Sequence, residues 1–213
     1  MPATIFSYGE TELAYLAAHD KRMASAIERI GPIERECFDD LFEAVVNSII
    51  GQQISTKAHR SIWKRIKEGV GTVDAPTLLE LGPERLQAFG TTWRKVDYIL
   101  DFARRVDADE FDLEGMDELS DSEVVERLVS LRGVGVWTAE MLLLFCLQRP
   151  DVLSYGDLGI QRGIRMLYRH RELEPERFER YRRRFSPYGS VASLYLWEIA
   201  AGALPELTDP AAR

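Results

Sequence analysis

"SLRGVGVWTAEMLLLF" spans residues 130–145. Gly133 and Gly135 stand two apart between a run of helical periodicity and an intensely apolar one, and Trp137 follows at once. The preceding run, "EVVERLVSL" (123–131), has helical spacing, and Ser120 with Glu123 has the spacing of a capping box. The stretch therefore predicts a helix, a tight Gly-x-Gly turn and a second helix. A dinucleotide-binding fingerprint would need a preceding strand, a third glycine and a βαβ unit, and none is here. A plain interhelical turn accounts for glycines that supply φ > 0 and close helix approach. It does not account for Trp-Thr-Ala and an all-round apolar helix behind them. A third reading uses the backbone: such a hairpin turns several N–H groups outward at the second helix's N-terminus, and with the helix dipole they suit a phosphate.

Working outward, the pattern is helical almost throughout, and the fold class is all-α. "ETELAYLAAHDKRMASAIERIG" (10–31) reads as one helix stopped by Gly31. "CFDDLFEAVVNSIIGQQ" (37–53) reads as the next, with Leu41, Val45 and Ile49 on one face. Ser55 caps a helix that stops at Gly69, and Asp74 caps a short one that ends near Gly82. "TTWRKVDYILDFARRV" (91–106) turns Trp93, Val96, Ile99, Leu100 and Ala103 inward. Further helices are expected over 136–148, 158–169, 175–185 and 190–203. Only "DVLSY" (151–155) hints at extended chain.

Composition bounds the function. With 213 residues, 46% hydrophobic and 29% charged, the chain can bury a core and is not disordered. Its longest purely apolar run, Met141 to Leu147, is far short of the roughly 20 residues of a membrane span. "MPATIFSYGETE" lacks the basic and apolar regions of a secretory signal, so an intracellular (cytoplasmic) protein with no membrane partner is expected. Cys37 and Cys146 stand in no CxxC or Cys/His pair, so no zinc or iron–sulfur ligand set is present. The net charge of −8 argues against nucleic-acid binding by bulk charge. Residues 158–188, however, hold nine Arg and no Lys against four Glu. They read either as a solvated helix face or as a local phosphate-facing patch.

"LVSLRGVGVWTAEMLLL" followed by "DVLSYGDLGIQRGIRMLY" resembles the helix-hairpin-helix DNA glycosylases that carry a Gly/Pro-rich loop and an aspartate, and within them the alkylbase branch of DNA-3-methyladenine glycosylase II type. "SIIGQQISTKA" (48–58) and "RKVDYI" (94–99) are similar to that family's earlier motifs, in the same order. The resemblance covers about residues 38–200. It implies two helical lobes, 35–149 and 1–34 plus 150–213, with an active-site cleft between them.

It also implies site roles. Asp157 falls on the catalytic aspartate; Tyr155 stands two residues before it, where relatives often have proline. An aspartate there also suits the N-cap of the helix at 158. Cleaving an N-glycosidic bond builds oxocarbenium character on the sugar, which an ionised carboxylate stabilises; it can also orient or deprotonate the attacking water. Asp151 is the nearest rival and is expected only to shape the loop. Trp137 falls where lyase relatives keep the lysine that forms a Schiff base, and no lysine lies between Gly133 and Arg213. A monofunctional hydrolase is therefore expected. Trp137 and Trp197 match base-pocket aromatics, and the indole face attracts a cationic alkylated purine. Met141 and Leu158 stand where relatives carry pocket tyrosines.

Gln53 matches the intercalating position and Gln52 a neighbour near the orphan base. Phosphate contacts fall on the amides of Gly133 and Gly135, the Thr138 hydroxyl, Arg162 and Arg165, with Lys57 and Lys95 as weaker candidates. The carbonyls of Val129, Leu131 and Val134 match those that hold a monovalent Na+ or K+ in relatives; no other cofactor is required. The implied partner is double-stranded DNA with alkylated bases, bound by a monomer. Two other readings stay open: a glycosylase for oxidised or mismatched bases, and a non-catalytic lesion-binding module.

Overall fold

The computed structural model describes residues 4–212. Two short strands, β1 (Thr4–Ile5) and β2 (Glu36–Cys37), pair antiparallel with Thr4 opposite Cys37. The helices in chain order are α1 (Glu10–His19), α2 (Lys21–Ile30), α3 (Leu41–Gly51), α4 (Thr56–Val70), α5 (Ala75–Ala88), α6 (Trp93–Asp107), α7 (Asp121–Val129), α8 (Val136–Phe145), α9 (Leu158–Tyr168), α10 (Pro175–Phe185) and α11 (Gly189–Ala201). The fold is helical, as the periodicity predicts. Among the described residues no helix is long and apolar enough to cross a membrane.

The chain divides into two compact units, Met1–Cys37 with Gln148–Arg213, and Phe38–Leu147. Residues 35–37 and 148–149 belong to the first unit, not to the second as the sequence reading has it. The reason is local pairing. Glu36 and Cys37 form β2 against β1, the Phe6 N–H donates to the Arg35 carbonyl at 2.8 Å, and the Ser7 N–H donates to Gln148 Oε1 at 2.9 Å.

Four local expectations need correction. The predicted helix over 10–31 is two, because Asp20 is extended (φ −150°) and its Oδ1 accepts from the Arg22 and Met23 N–H groups at 2.9 Å, starting α2 afresh. Gly69 does not stop α4; it lies against the Phe89 ring, and the stop is Gly71 at φ 74°. The helix capped by Asp74 does end at Gly82 (φ 77°), where α5 kinks and a second helical run starts at Pro83. Trp93 is 55% exposed, because at the first position of α6 the apolar stripe has run past the core. "DVLSY" forms no strand.

In the first unit the buried wall is α11, whose residues Val191–Leu196 and Ile199 are all buried. It packs on α9 so closely that a Cβ at Gly163 would lie 2.2 Å from the Leu196 carbonyl oxygen. In the second unit the cores of α3, α6 and α8 meet, with Phe42 stacked on Phe102 at 4.8 Å. The His59 ring of α4 lies against Gly51, where a Cβ would stand 3.1 Å from it. Burial above all holds the His59 imidazole below its ordinary pKa of 6.5, against a hydrogen bond to the Asn47 backbone that raises it. His170 is lowered from the same value, again chiefly by burial.

Gly163→Ala should lower stability by about 3 kcal/mol, because the new methyl meets backbone that cannot rotate away; the urea midpoint measures this, and an unchanged midpoint refutes the close approach. For the two histidines the unfolded chain binds protons more readily than the folded one just below pH 6.5. Stability should therefore fall as pH drops below 6.5, and thermal melts of His59→Gln/His170→Gln should fall less steeply than wild type over that window.

Candidate active site

Asp157 is buried, at 7% exposure, at the N-cap of α9. Its Oδ1 accepts from the Ile160 N–H at 2.8 Å and from the Trp197 indole N–H at 2.9 Å. Capping and indole contact thus converge on one oxygen. Gly159 makes room for this, since a Cβ there would stand 2.8 Å from the Trp197 ring. Trp197 is half-buried on α11 and joins the aspartate by a hydrogen bond, a link that a purely stacking role does not predict.

The loop that delivers Asp157 is braced from α11. The Val152 N–H donates to Ser190 Oγ at 2.9 Å, and the Ser193 hydroxyl donates to the Val152 carbonyl at 2.8 Å. Asp151 accepts from the Gly189 N–H at 3.0 Å and the Ser186 hydroxyl at 2.5 Å, so it shapes the loop as expected of it. Tyr155, in the place where proline is common, stacks edge-on against Phe178 and donates from its hydroxyl to the Leu173 carbonyl at 3.4 Å. Sequence reading missed Ser190 and Ser193. Their signal was there: two serines three apart in an otherwise apolar helix share one face. Leu158, the residue after Asp157, is 78% exposed.

The hairpin lies in the second unit. Gly133 has φ 85°, and a Cβ there would stand 2.3 Å from the Tyr98 ring, so both backbone and space demand glycine. Gly135 differs. Its φ of −97° suits any residue, and a Cβ would meet nothing within 4 Å. It is the N-cap of α8, and no side-chain cap closes that N-terminus. A helix end of this kind suits an anion approaching the backbone closely. Trp137 is 45% exposed in the first turn of α8, and Met141, four residues on, shares its face and is half-buried. Thr138 is buried in the same turn. Leu131 and Val134 are buried, Val129 is 38% exposed, and the Leu131 carbonyl accepts the Val134 N–H at 3.1 Å.

The glutamine pair closes α3. Gln52 is its C-cap, and the Gln52 side-chain amide donates to the Gly133 carbonyl at 2.7 Å. Gln53 is exposed and has φ 55°, left-handed backbone that is costly for a residue with a side chain. Lys95 donates from Nζ to the carbonyls of Ile50 (2.8 Å) and Gln52 (2.6 Å). Its ammonium therefore faces a helix C-terminus; burial and the Arg94 charge hold its pKa below the usual 10.5. Lys57 is exposed on α4.

Arg162, Arg165, Arg182 and Arg184 of the arginine-rich segment lie beside carboxylates of the first unit. Arg165 grips Asp209 through Nε (3.1 Å) and Nη2 (2.7 Å), which holds the Asp209 carboxyl below the usual carboxylate range. Arg162 lies 3.9 Å from the same carboxylate but is half exposed. Arg182 pairs with Glu179 at 2.7 Å and Arg184 with Asp20 at 2.7 Å. Of the two arginines expected to meet phosphate, Arg165 thus has its donors on an internal carboxylate that sequence reading did not foresee.

The family model described as HhH-GPD superfamily base excision DNA repair protein matches residues 46–187. DNA-3-methyladenine glycosylase 1 of Schizosaccharomyces pombe is 28% identical over 212 residues, covering 97% of this chain and 92% of its own. The crystal structure of a DNA-3-methyladenine glycosidase from Bacillus halodurans superposes with a TM-score of 0.83 at 33% identity, over 95% of each chain. The solved structure of S. pombe 3-methyladenine DNA glycosylase in complex with abasic DNA does so with a TM-score of 0.80 at 25% identity, over 93% of this chain and 100% of that one. The matched span contains the glutamine turn, the hairpin and the aspartate loop, and on this ground the chain belongs to the HhH-GPD superfamily of base excision DNA repair proteins.

Proposed function

We propose that the chain, as an intracellular monomer, is a monofunctional DNA glycosylase that removes alkylated purines of the 3-methyladenine and 7-methylguanine type from duplex DNA. The observation that carries this reading is Asp157: a buried carboxylate oriented by two donors on one oxygen, in the loop after the hairpin's second helix. The names of the similar proteins support the same substrate class.

The chemistry follows from the leaving group. A purine alkylated at N3 or N7 is cationic, and it takes the electrons of the C1′–N bond and departs neutral. The sugar is left with oxocarbenium character, which the carboxylate of Asp157 stabilises electrostatically. Water adds to C1′ and gives up a proton, leaving an abasic site with both strands intact. Little acid catalysis is needed for so good a leaving group. Trp137, with Met141 on the same face of α8, offers the indole surface that a flipped cationic base favours by about 0.5–2 kcal/mol. It also stands where a lyase would place its amine nucleophile. Trp197 and Leu158 would complete the base contacts beside Asp157. Gln53 would fill the gap left by the extruded base, with Gln52 beside it.

Backbone phosphates would meet the amides of Gly133 and Gly135 and the first turn of α8 at Thr138, with Arg162 as the exposed guanidinium. The backbone carbonyls of Val129, Leu131 and Val134, within six residues of chain around Gly133, would be the oxygen ligands of a monovalent cation. Such a cation would supply fixed positive charge under the phosphate.

Asp157→Asn keeps an equally good N-cap residue, so the fold should hold, while single-turnover release of 3-methyladenine should fall by about 10²–10³-fold. If purified wild type releases neither 3-methyladenine nor 7-methylguanine from methylated duplex DNA, the substrate assignment fails. Trp197→Phe keeps an aromatic ring but removes the N–H donor to Asp157; release should drop by about tenfold, the kinetic equivalent of one hydrogen bond of ~1.4 kcal/mol. Borohydride added during turnover should trap no protein–DNA adduct, and an adduct would overturn the hydrolytic mechanism.

A further inference from the structure

We propose that Lys95 is a positioning residue for base extrusion: it locks the turn that presents Gln53 and ties it to the hairpin that grips the DNA backbone. The inference rests on the reading of Gln53 as the intercalating side chain.

The turn is built against its own preference. A helix leaves its last carbonyls without intrahelical partners. At the end of α3 two carbonyls, those of Ile50 and Gln52, accept from the same Nζ of Lys95, at 2.8 and 2.6 Å. A cation at that end also opposes the negative pole of the helix. The next residue, Gln53, sits at φ 55°. A side-chain-bearing residue persists there only where its surroundings dictate it. Lys95 holds the carbonyl just before Gln53. On the far side Ser55 Oγ accepts the Ala58 N–H at 3.2 Å and starts α4. Gln53 itself is exposed at the tip.

The same helix holds the hairpin. Tyr98, three residues after Lys95 on α6, is the ring against which Gly133 packs. Gln52 closes the circuit by donating from its side chain to the Gly133 carbonyl at 2.7 Å. Glutamine turn and hairpin are therefore both docked on the first two turns of α6 and on each other. A side chain pushed into the base stack needs a counterforce, and a grip on the backbone at a fixed spacing supplies it. Among the described residues, it is Lys95 that bonds both the Ile50 and the Gln52 carbonyls before the tip. It acts through Gln53, not on the reacting atoms.

The test is a double-mutant cycle on single-turnover base release from methylated duplex DNA. Gln53→Ala and Lys95→Met should each slow release roughly tenfold or more, since unstacking the base becomes harder. The double variant should be no slower than the slower single one, because both act on one step. The Lys95→Met defect should shrink when the lesion lies opposite a mismatch, where the base is already loosely stacked; a general loss of folded enzyme would slow both substrates equally. Lys95→Arg, which keeps cationic donors, should recover most of the rate, and it serves as the probe if Lys95→Met does not fold. Multiplicative losses, an equal defect on both substrates, or a wild-type rate for Lys95→Met beside an impaired Gln53→Ala overturns the proposal. A wild-type rate for Gln53→Ala overturns the wedge reading itself, and the role of Lys95 with it.

Discussion

One oxygen, Oδ1 of Asp157, organises the candidate site. It receives the Ile160 N–H from α9 and the indole N–H of Trp197 from α11. Both donors arrive correctly only if the two helices keep their spacing. That spacing is set by Gly163, which lets the α9 backbone approach the Leu196 carbonyl too closely for any side chain. The loop before the aspartate answers to the same helix through Ser190, Ser193 and the N–H of Gly189. Packing, loop bracing and carboxylate orientation are therefore one constraint seen at three scales. A carboxylate oriented in this way need not reorganise as charge develops on a sugar, which is where electrostatic catalysis gains most.

Much of this was legible in the sequence. The hairpin was read from two glycines and the apolar helix behind them, and the cap role of Asp157 from residue type and position. What could not be read depends on tertiary packing. Trp197 declares itself as an aromatic on an apolar helix, but nothing local says that its N–H reaches a residue forty positions earlier. Lys95 reads as a cation in an amphipathic helix; its use at the end of α3 follows only once α3 and α6 are packed together. The break at Asp20 was hidden by continuous apolar spacing on either side, and a capping carboxylate overrode the periodicity.

Charge shows the same limit. Residues 158–188 read either as a solvated face or as a phosphate-facing patch, and Arg165, Arg182 and Arg184 face Asp209, Glu179 and Asp20 instead. Their charges are balanced by the protein's own carboxylates, two of them distant in sequence. Composition counts charges without knowing which are paired. An acidic chain that meets a polyanion must then rely on groups that composition does not count, chiefly oriented backbone N–H dipoles, whose effect is local.

Two helix N-termini make this concrete. Both α8 and α9 present N–H groups with no partner in their own first turn. At α9 the protein supplies the acceptor, since Asp157 caps the helix with its own carboxylate. At α8 the cap is Gly135, which has no side chain to offer and open space where a Cβ would be. Alanine at this N-cap would cost about 1 kcal/mol relative to serine or aspartate. Glycine at Ncap costs only a few tenths relative to those residues, and it keeps the backbone open to an outside anion. The same physics is satisfied internally at Asp157, whereas the cap of α8 carries no side chain. On the proposed reading, that is what glycine contributes at position 135, where a φ of −97° demands none: room for a phosphate to approach the backbone.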